Sequence, residues 1–170
     1  FDYLSQFISS ITTPLFLMLN IIIEESDEPL LFNQAIDGIS YTIKTLGLLN
    51  LEQQKKTIVS NLCTMTSLLQ VKQLKNKNIS CIKQLLSLAN SDYRYCKGTW
   101  SLILEIINKL YYYLSLISMR KDDKEEYYKI KKQKAAETNN KKIMVLVEET
   151  INKEKENMNL LSKEINLNNR

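Results

Sequence analysis

The chain has 170 residues, 44% of them hydrophobic and 25% charged, an ordinary globular composition with room for one core and some extra chain. Three glycines and two prolines are too few for the turns of an all-β fold, and a chain without histidine lacks the usual general base and most zinc-binding sets. The net charge of +4 is local: residues 1–119 carry 10 basic and 9 acidic groups, residues 120–134 carry 7 and 4, and residues 135–170 carry 6 of each. With no basic stripe on a structured face, nucleic acid is not an expected partner.

In chain order, Thr13-Pro14 either starts a helix or kinks one that continues across it. The apolar run Leu15 to Ile23 is nine residues long and broken by Asn20. It is far short of the roughly 20 residues that span a bilayer, so a core helix is expected. Glu24, Glu25, Asp27 and Glu28 read as a helix end followed by the cap and first turn of the next helix, where acids favour the dipole. Ser26 or Asp27 is the candidate cap, with Pro29 in the first turn.

Apolar residues at three- and four-residue steps then mark successive helices. The stripes are Phe32, Ile36, Ile39, Ile43, Leu46; Ile58, Leu62, Met65, Leu69; Ile79, Ile82, Leu85, Ala89; and Trp100, Ile103, Ile107, Leu110, Leu114, Ile117. Gly47 and Asn50, the polar stretch Lys72 to Asn78, and Asn90 to Thr99 separate them, with Asp92 able to cap a short turn. Leu30, Leu31, Leu86 and Leu104 lie off these stripes. Helices with two apolar faces pack on two sides, as in stacked pairs of an α-solenoid. The fold class expected is all-α, a solenoid of antiparallel helix pairs of the armadillo or HEAT type.

Residues 119–142 are dense in charge and read as a solvated linker or insertion, with a weak contact to anionic membrane as its functional alternative. Residues 1–118 form the helical-repeat domain, and 143–170 open a further helical unit. Tyr111, Tyr112 and Tyr113 point 100° apart on a helix and cannot form one stacking platform, so core and rim is their expected role. Cys63, Cys81 and Cys96 show no metal-binding spacing and read as buried reduced thiols. The chain opens on Phe1 without a signal peptide and reads as a piece of a larger intracellular protein.

The stretch Lys77-Asn78-Ile79-Ser80-Cys81-Ile82-Lys83-Gln84-Leu85, continuing to Ala89, Asp92, Tyr95 and Trp100, resembles the large guanine-nucleotide exchange factors for ADP-ribosylation factor (ARF). The similarity is to the brefeldin-A-inhibited subgroup, in the region just after the catalytic Sec-seven domain. Upstream, Thr13-Pro14, the acidic turn Ser26-Asp27-Glu28 and Ala35-Ile36-Asp37-Gly38-Ile39 fit the same pattern, so the resemblance covers about residues 6 to 113. Asn159 to Leu167 is similar to the opening of the next homology region. Thr12 stands where the family has a tryptophan, so one packing anchor is replaced.

The resemblance implies a helical-repeat regulatory region with no catalytic residue and no cofactor, since the family's catalytic glutamate belongs to the preceding domain. It implies partners in the ARF GTPase and neighbouring domains of the same chain, and a cytoplasmic location on Golgi or trans-Golgi membranes in vesicle traffic. Pro14, Asp37, Gly38, Lys77, Asn78, Ile79, Lys83, Asp92, Tyr95 and Trp100 are its motif positions and are read as structural. The competing reading is an armadillo-like interaction scaffold unrelated to ARF.

Overall fold

In a computed structural model, the described residues are 2–70, 73–138 and 140–168, with the side chains of 167 and 168 excepted. Lys72, Asn139, Asn169 and Arg170 therefore lie outside them. Among the described residues the chain is all-α, with seven α-helices, one 3-10 turn and no strand. The helices are α1 (Asp2–Glu25), α2 (Pro29–Leu48), α3 (Glu52–Met65), α4 (Asn76–Ser91), α5 (Trp100–Ser118), α6 (Lys121–Glu137) and α7 (Lys141–Asn168), with the 3-10 turn at Tyr93–Cys96. Contacts divide them into two compact units, one of residues 1–66 and 75–106, the other of 67–74 and 107–170.

The first unit is organised around α2, which packs against α1, α3, α4 and the 3-10 turn. Its expected stripe, Phe32, Ile36, Ile39, Ile43 and Leu46, is buried throughout, and Ala35, Ser40 and Thr42 widen the buried arc. Three-residue connections at 26–28 and 49–51 join α2 to α1 and α3, and helices so closely linked and packed run as antiparallel pairs. Pro29 occupies the first position of α2 as expected, but the capping residue is Glu28, whose N–H donates to Ser26 Oγ at 3.1 Å. At the other end Asn50, not Gly47, closes the helix: it adopts φ 54° and Leu51 N–H reaches back to Leu46 carbonyl at 2.9 Å. This is the left-handed helix stop that asparagine tolerates better than most side chains.

Pro14 lies inside α1, which continues on both sides of it, one of the two readings expected for Thr13-Pro14. Several other sequence expectations are corrected, and only one face of α1 is core. Phe16, Leu19 and Ile23 are buried, while Leu4, Phe7, Leu17, Met18 and Ile21 are exposed. By length and composition α1 would suffice to cross a membrane, although its buried side packs on α2. The second apolar faces also stay uncovered, with Leu30, Leu31, Leu86 and Leu104 all exposed. Along α5 the buried side is Ile103, Ile106, Tyr113 and Leu116, whereas Leu114 of the expected stripe is exposed. Helix α3 stops at Met65, so Leu69 falls outside it and is exposed, and Leu68 is buried instead. Ile165, expected to continue the α7 stripe of Met158 and Leu161, is 38% exposed.

The stretch 119–142, read as a solvated linker, is largely helix α6. Its charge hides an apolar spine: Tyr128 and Ala135, seven residues apart, are buried, and α6 packs against α7 in the second unit. Asp122 and Asp123 in the first turn and Lys134 in the last also complement the helix dipole.

The three cysteines are buried, and burial pushes the Cys63 thiol up to about 11 and the Cys81 thiol to about 12. At neutral pH they are small apolar groups in the core rather than nucleophiles.

Close approach explains one glycine. A Cβ on Gly47 would lie 3.1 Å from Tyr95 Cβ and 3.2 Å from its Cα and carbonyl oxygen, so α2 and the 3-10 turn touch through this position. A Cβ on Gly38 would instead meet only the Leu19 side chain, at 3.2 Å. Gly47→Ala is expected to lower unfolding free energy in urea by about 1–3 kcal/mol, the usual cost of overpacking. Gly38→Ala should stay within about 1 kcal/mol of the parent, because helix propensity offsets a small Leu19 shift. Equal losses at both positions would contradict this account of the α2 contact.

Candidate functional site

Three of the ten motif positions, Lys77, Asn78 and Ile79, come together where the ends of α1 and α3 meet the start of α4. The α4 helix begins with Asn76-Lys77-Asn78, polar residues that hold its own end and two neighbours together. Asn78 Oδ1 accepts the Lys75 N–H at 2.7 Å, satisfying a donor at the helix start, while Asn78 Nδ2 donates to Met65 carbonyl at 2.7 Å, the last residue of α3. Lys77 Nζ donates to the carbonyls of Ile23 and Glu24 at 3.0 and 2.5 Å. Those carbonyls are at the C-terminal end of α1, where the dipole is negative and no basic residue of α1 itself is present. Ile79 is buried beneath this junction. One tripeptide therefore joins three helices.

A second group lies between α2 and the 3-10 turn. Asp92 makes an ion pair with Lys44 at 2.8 Å, and this hydrogen bond raises the Lys44 pKa above its usual value. Asp92 does not cap the turn through its side chain. Tyr95 is half-buried with its backbone against Gly47, and Gly38 faces Leu19 of α1. Trp100, half-buried, opens α5. Pro14, Asp37 and Lys83 are solvent-exposed and lie outside both groups.

Charged residues that the sequence reading did not single out are buried. In the first unit Lys55 is 1% exposed and lies 2.9 Å from both carboxylate oxygens of Glu52. The i,i+3 spacing of opposite charges on α3 was its only signal. In the second unit Glu154, 6% exposed, accepts from Lys131 Nζ at 2.8 and 2.9 Å. Tyr112 bonds Tyr127 at 2.7 Å and reaches Glu154 at 3.4 Å. Burial first, then the Tyr127 hydrogen bond and the Glu154 charge, pushes the Tyr112 phenol up; burial and the same carboxylate hold Tyr128 up to about 12. Asn157, also buried, accepts the Leu74 N–H at 2.8 Å. Among the described residues no group of three or more Cys, Asp or Glu side chains is placed to hold a metal ion.

These arrangements hold helices in place, and their class is that of an all-helical region related to ARF exchange factors. The relation rests on similarity to named proteins. Brefeldin A-inhibited guanine nucleotide-exchange protein 2 of Arabidopsis thaliana is 25% identical over 96 residues, covering 56% of this chain and 5% of that protein. Protein 4 of the same series is 23% identical over 97 residues, 57% of this chain and 6% of the relative. The ADP-ribosylation factor guanine nucleotide-exchange factor sec72 of Schizosaccharomyces pombe is 25% identical over 110 residues, 65% of this chain and 6% of the relative. The resemblance to the brefeldin-A-inhibited exchange factors is thereby shown. The chain thus matches only a small part of these much longer relatives. No family model matches it, and no solved structure does.

Removing the junction should cost stability. Asn78→Ala is expected to destabilise the chain by about 1–2 kcal/mol through one lost cap and one orphaned carbonyl. Lys77→Met, which keeps the apolar stem, should cost about 1 kcal/mol. Thermal unfolding followed by circular dichroism reads both, and unchanged midpoints would show that the junction does not hold the helices.

Proposed function

We propose that the chain is a non-catalytic, solenoid-type regulatory region of a large ARF exchange factor, acting in recruitment or restraint of that factor on Golgi-type membranes. The observation that carries this reading is the similarity of more than half the chain to brefeldin A-inhibited exchange proteins. Its supports are physical as well. Lys77, Asn78, Ile79 and Asp92 are taken up by capping, burial and ion pairing, which leaves them to fold rather than to bond-making. The short links and the wide buried arc of α2 suit a helix in the interior of a stack.

The partner face we assign is the outer stripe of α2. Leu30, Asp37, Tyr41 and Leu48 recur at helical spacing, and Leu30, Tyr41 and Leu48 are 62%, 67% and 66% exposed. Asp37 lies in the family-resembling segment, is exposed, and makes no ion pair among the described residues. Tyr41 is of the aromatic type enriched in protein contacts, and Leu30 and Leu48 add exposed apolar area on the same stripe.

The purified chain is expected to bind liposomes bearing GTP-loaded ARF more than liposomes bearing GDP-loaded ARF. Tyr41→Ala combined with Leu48→Ser should weaken that binding about tenfold, the effect of losing one aromatic anchor and its neighbour. Helicity should be unchanged, since both side chains are exposed. Equal binding to the two nucleotide states would rule out direct recognition of active ARF.

A further inference from the structure

Helices α6 and α7 of the second unit flank an open cleft of about 480 Å³. Lys121, Lys124, Lys129 and Lys132 of α6 and Lys155 of α7 line it, against a single lining carboxylate, Glu125. The lining charge is thus five positive and one negative, a net of +4. Tyr128 and Met158, joined by a hydroxyl-to-sulfur contact of 3.9 Å, are buried and form its apolar floor.

Outside the cleft Lys131 is held by the buried Glu154. Of the cleft lysines only Lys132 has an ion-pair partner among the described residues. Lys124 is spent on the Ile117 carbonyl at 2.8 Å, and Lys132 on Glu148 at 2.9 Å. Lys155 stands 5.0 Å over the Tyr128 ring, and no ion pair is found for Lys121, Lys129 or Lys155 among the described residues. Lys121 also stands at the N-terminus of α6, where the dipole adds positive potential; Asp122 and Asp123 of the same turn offset part of it but do not line the cleft. Gathered ammonium groups repel one another, and an anion that bridges them removes that cost.

We propose that this cleft binds a compact ligand carrying two or more phosphate groups on a carbon skeleton. Lysine ammonium groups act on phosphate as mobile point charges, the volume suits a small molecule, and the tyrosine and methionine floor gives the skeleton an apolar seat. The same chemistry is presented by a soluble bisphosphate and by a phosphorylated lipid headgroup. The proposal is independent of the ARF reading, since it involves neither α2 nor a GTPase.

The test titrates the whole chain with fructose 1,6-bisphosphate by calorimetry. In a second arm it is mixed with phosphatidylcholine vesicles carrying either phosphatidylinositol bisphosphate or phosphatidylserine at matched charge. The cleft variant is K121Q/K129Q/K155Q; the control, K134Q/K141Q/K142Q, removes the same charge from exposed lysines outside the cleft. Saturable binding of the bisphosphate, weakened about tenfold or more in the cleft variant and under about threefold in the control, supports a soluble ligand. Binding confined to the bisphosphate-lipid vesicles, with the same split between variants, supports a headgroup. Absence of binding in both arms, equal losses in the two variants, or equal binding to phosphatidylserine vesicles would overturn the proposal.

Discussion

The first unit depends on the burial of α2 on more than one side. A surface helix needs one apolar stripe, but α2 buries Phe32, Ile36, Ile39, Ile43 and Leu46 together with Ala35, Ser40 and Thr42. Ile39, Ile43 and Leu46 are completely buried. Each such side chain contributes roughly 1.5–3 kcal/mol of transfer free energy, so this helix supplies much of what opposes the entropy of ordering its neighbours. Of the two polar positions inside that arc, Thr42 donates to the Gly38 carbonyl at 2.8 Å, while the buried Ser40 hydroxyl has no hydrogen-bond partner among the described residues. Gly47 then lets the 3-10 turn come against the helix. Motif residues at Lys77, Asn78 and Asp92 act afterwards, fixing how the ends of α1, α3 and the 3-10 turn meet this scaffold.

The same physics separates the two units in kind. The first is held by aliphatic burial with one buried ammonium, Lys55. The second has a polar network, in which Glu154 joins Lys131 and Tyr112, and Asn157 holds the Leu74 backbone. Removing one partner of such a network leaves a buried charge or polar group uncompensated, which costs more than the net value of the contact. The lysine-lined cleft belongs to that second unit, and three of its five lysines, Lys121, Lys129 and Lys155, have no ion pair among the described residues.

Much of the fold was legible because period 3.6 patterns are written plainly in α2 and α4, where every expected stripe residue through Leu46 and through Leu85 is buried. The stripe of α5 was not: with apolar residues on most sides, its pattern could not reveal which face meets a neighbour, and Ile106 and Tyr113 are buried where Leu114 was expected. Helix α6 was hidden for the opposite reason. Its charge density resembles a linker, and only Tyr128 and Ala135 record its buried side. Of the motif residues, Asn78 was read as the end of a polar connection but lies in the first turn of α4, and the reach of Lys77 to the end of α1, 53 and 54 positions away, leaves no local signal. Resemblance pointed to these residues; only geometry gives them their work.

Amide hydrogen exchange, resolved along the chain by mass spectrometry, tests the central role of α2 most directly. Residues 35–46 should exchange most slowly within the first unit, at a rate set by its global unfolding, while the exposed first turns of α1 exchange early. If instead α2 exchanges as fast as the start of α1, the packing of this unit around α2 is contradicted.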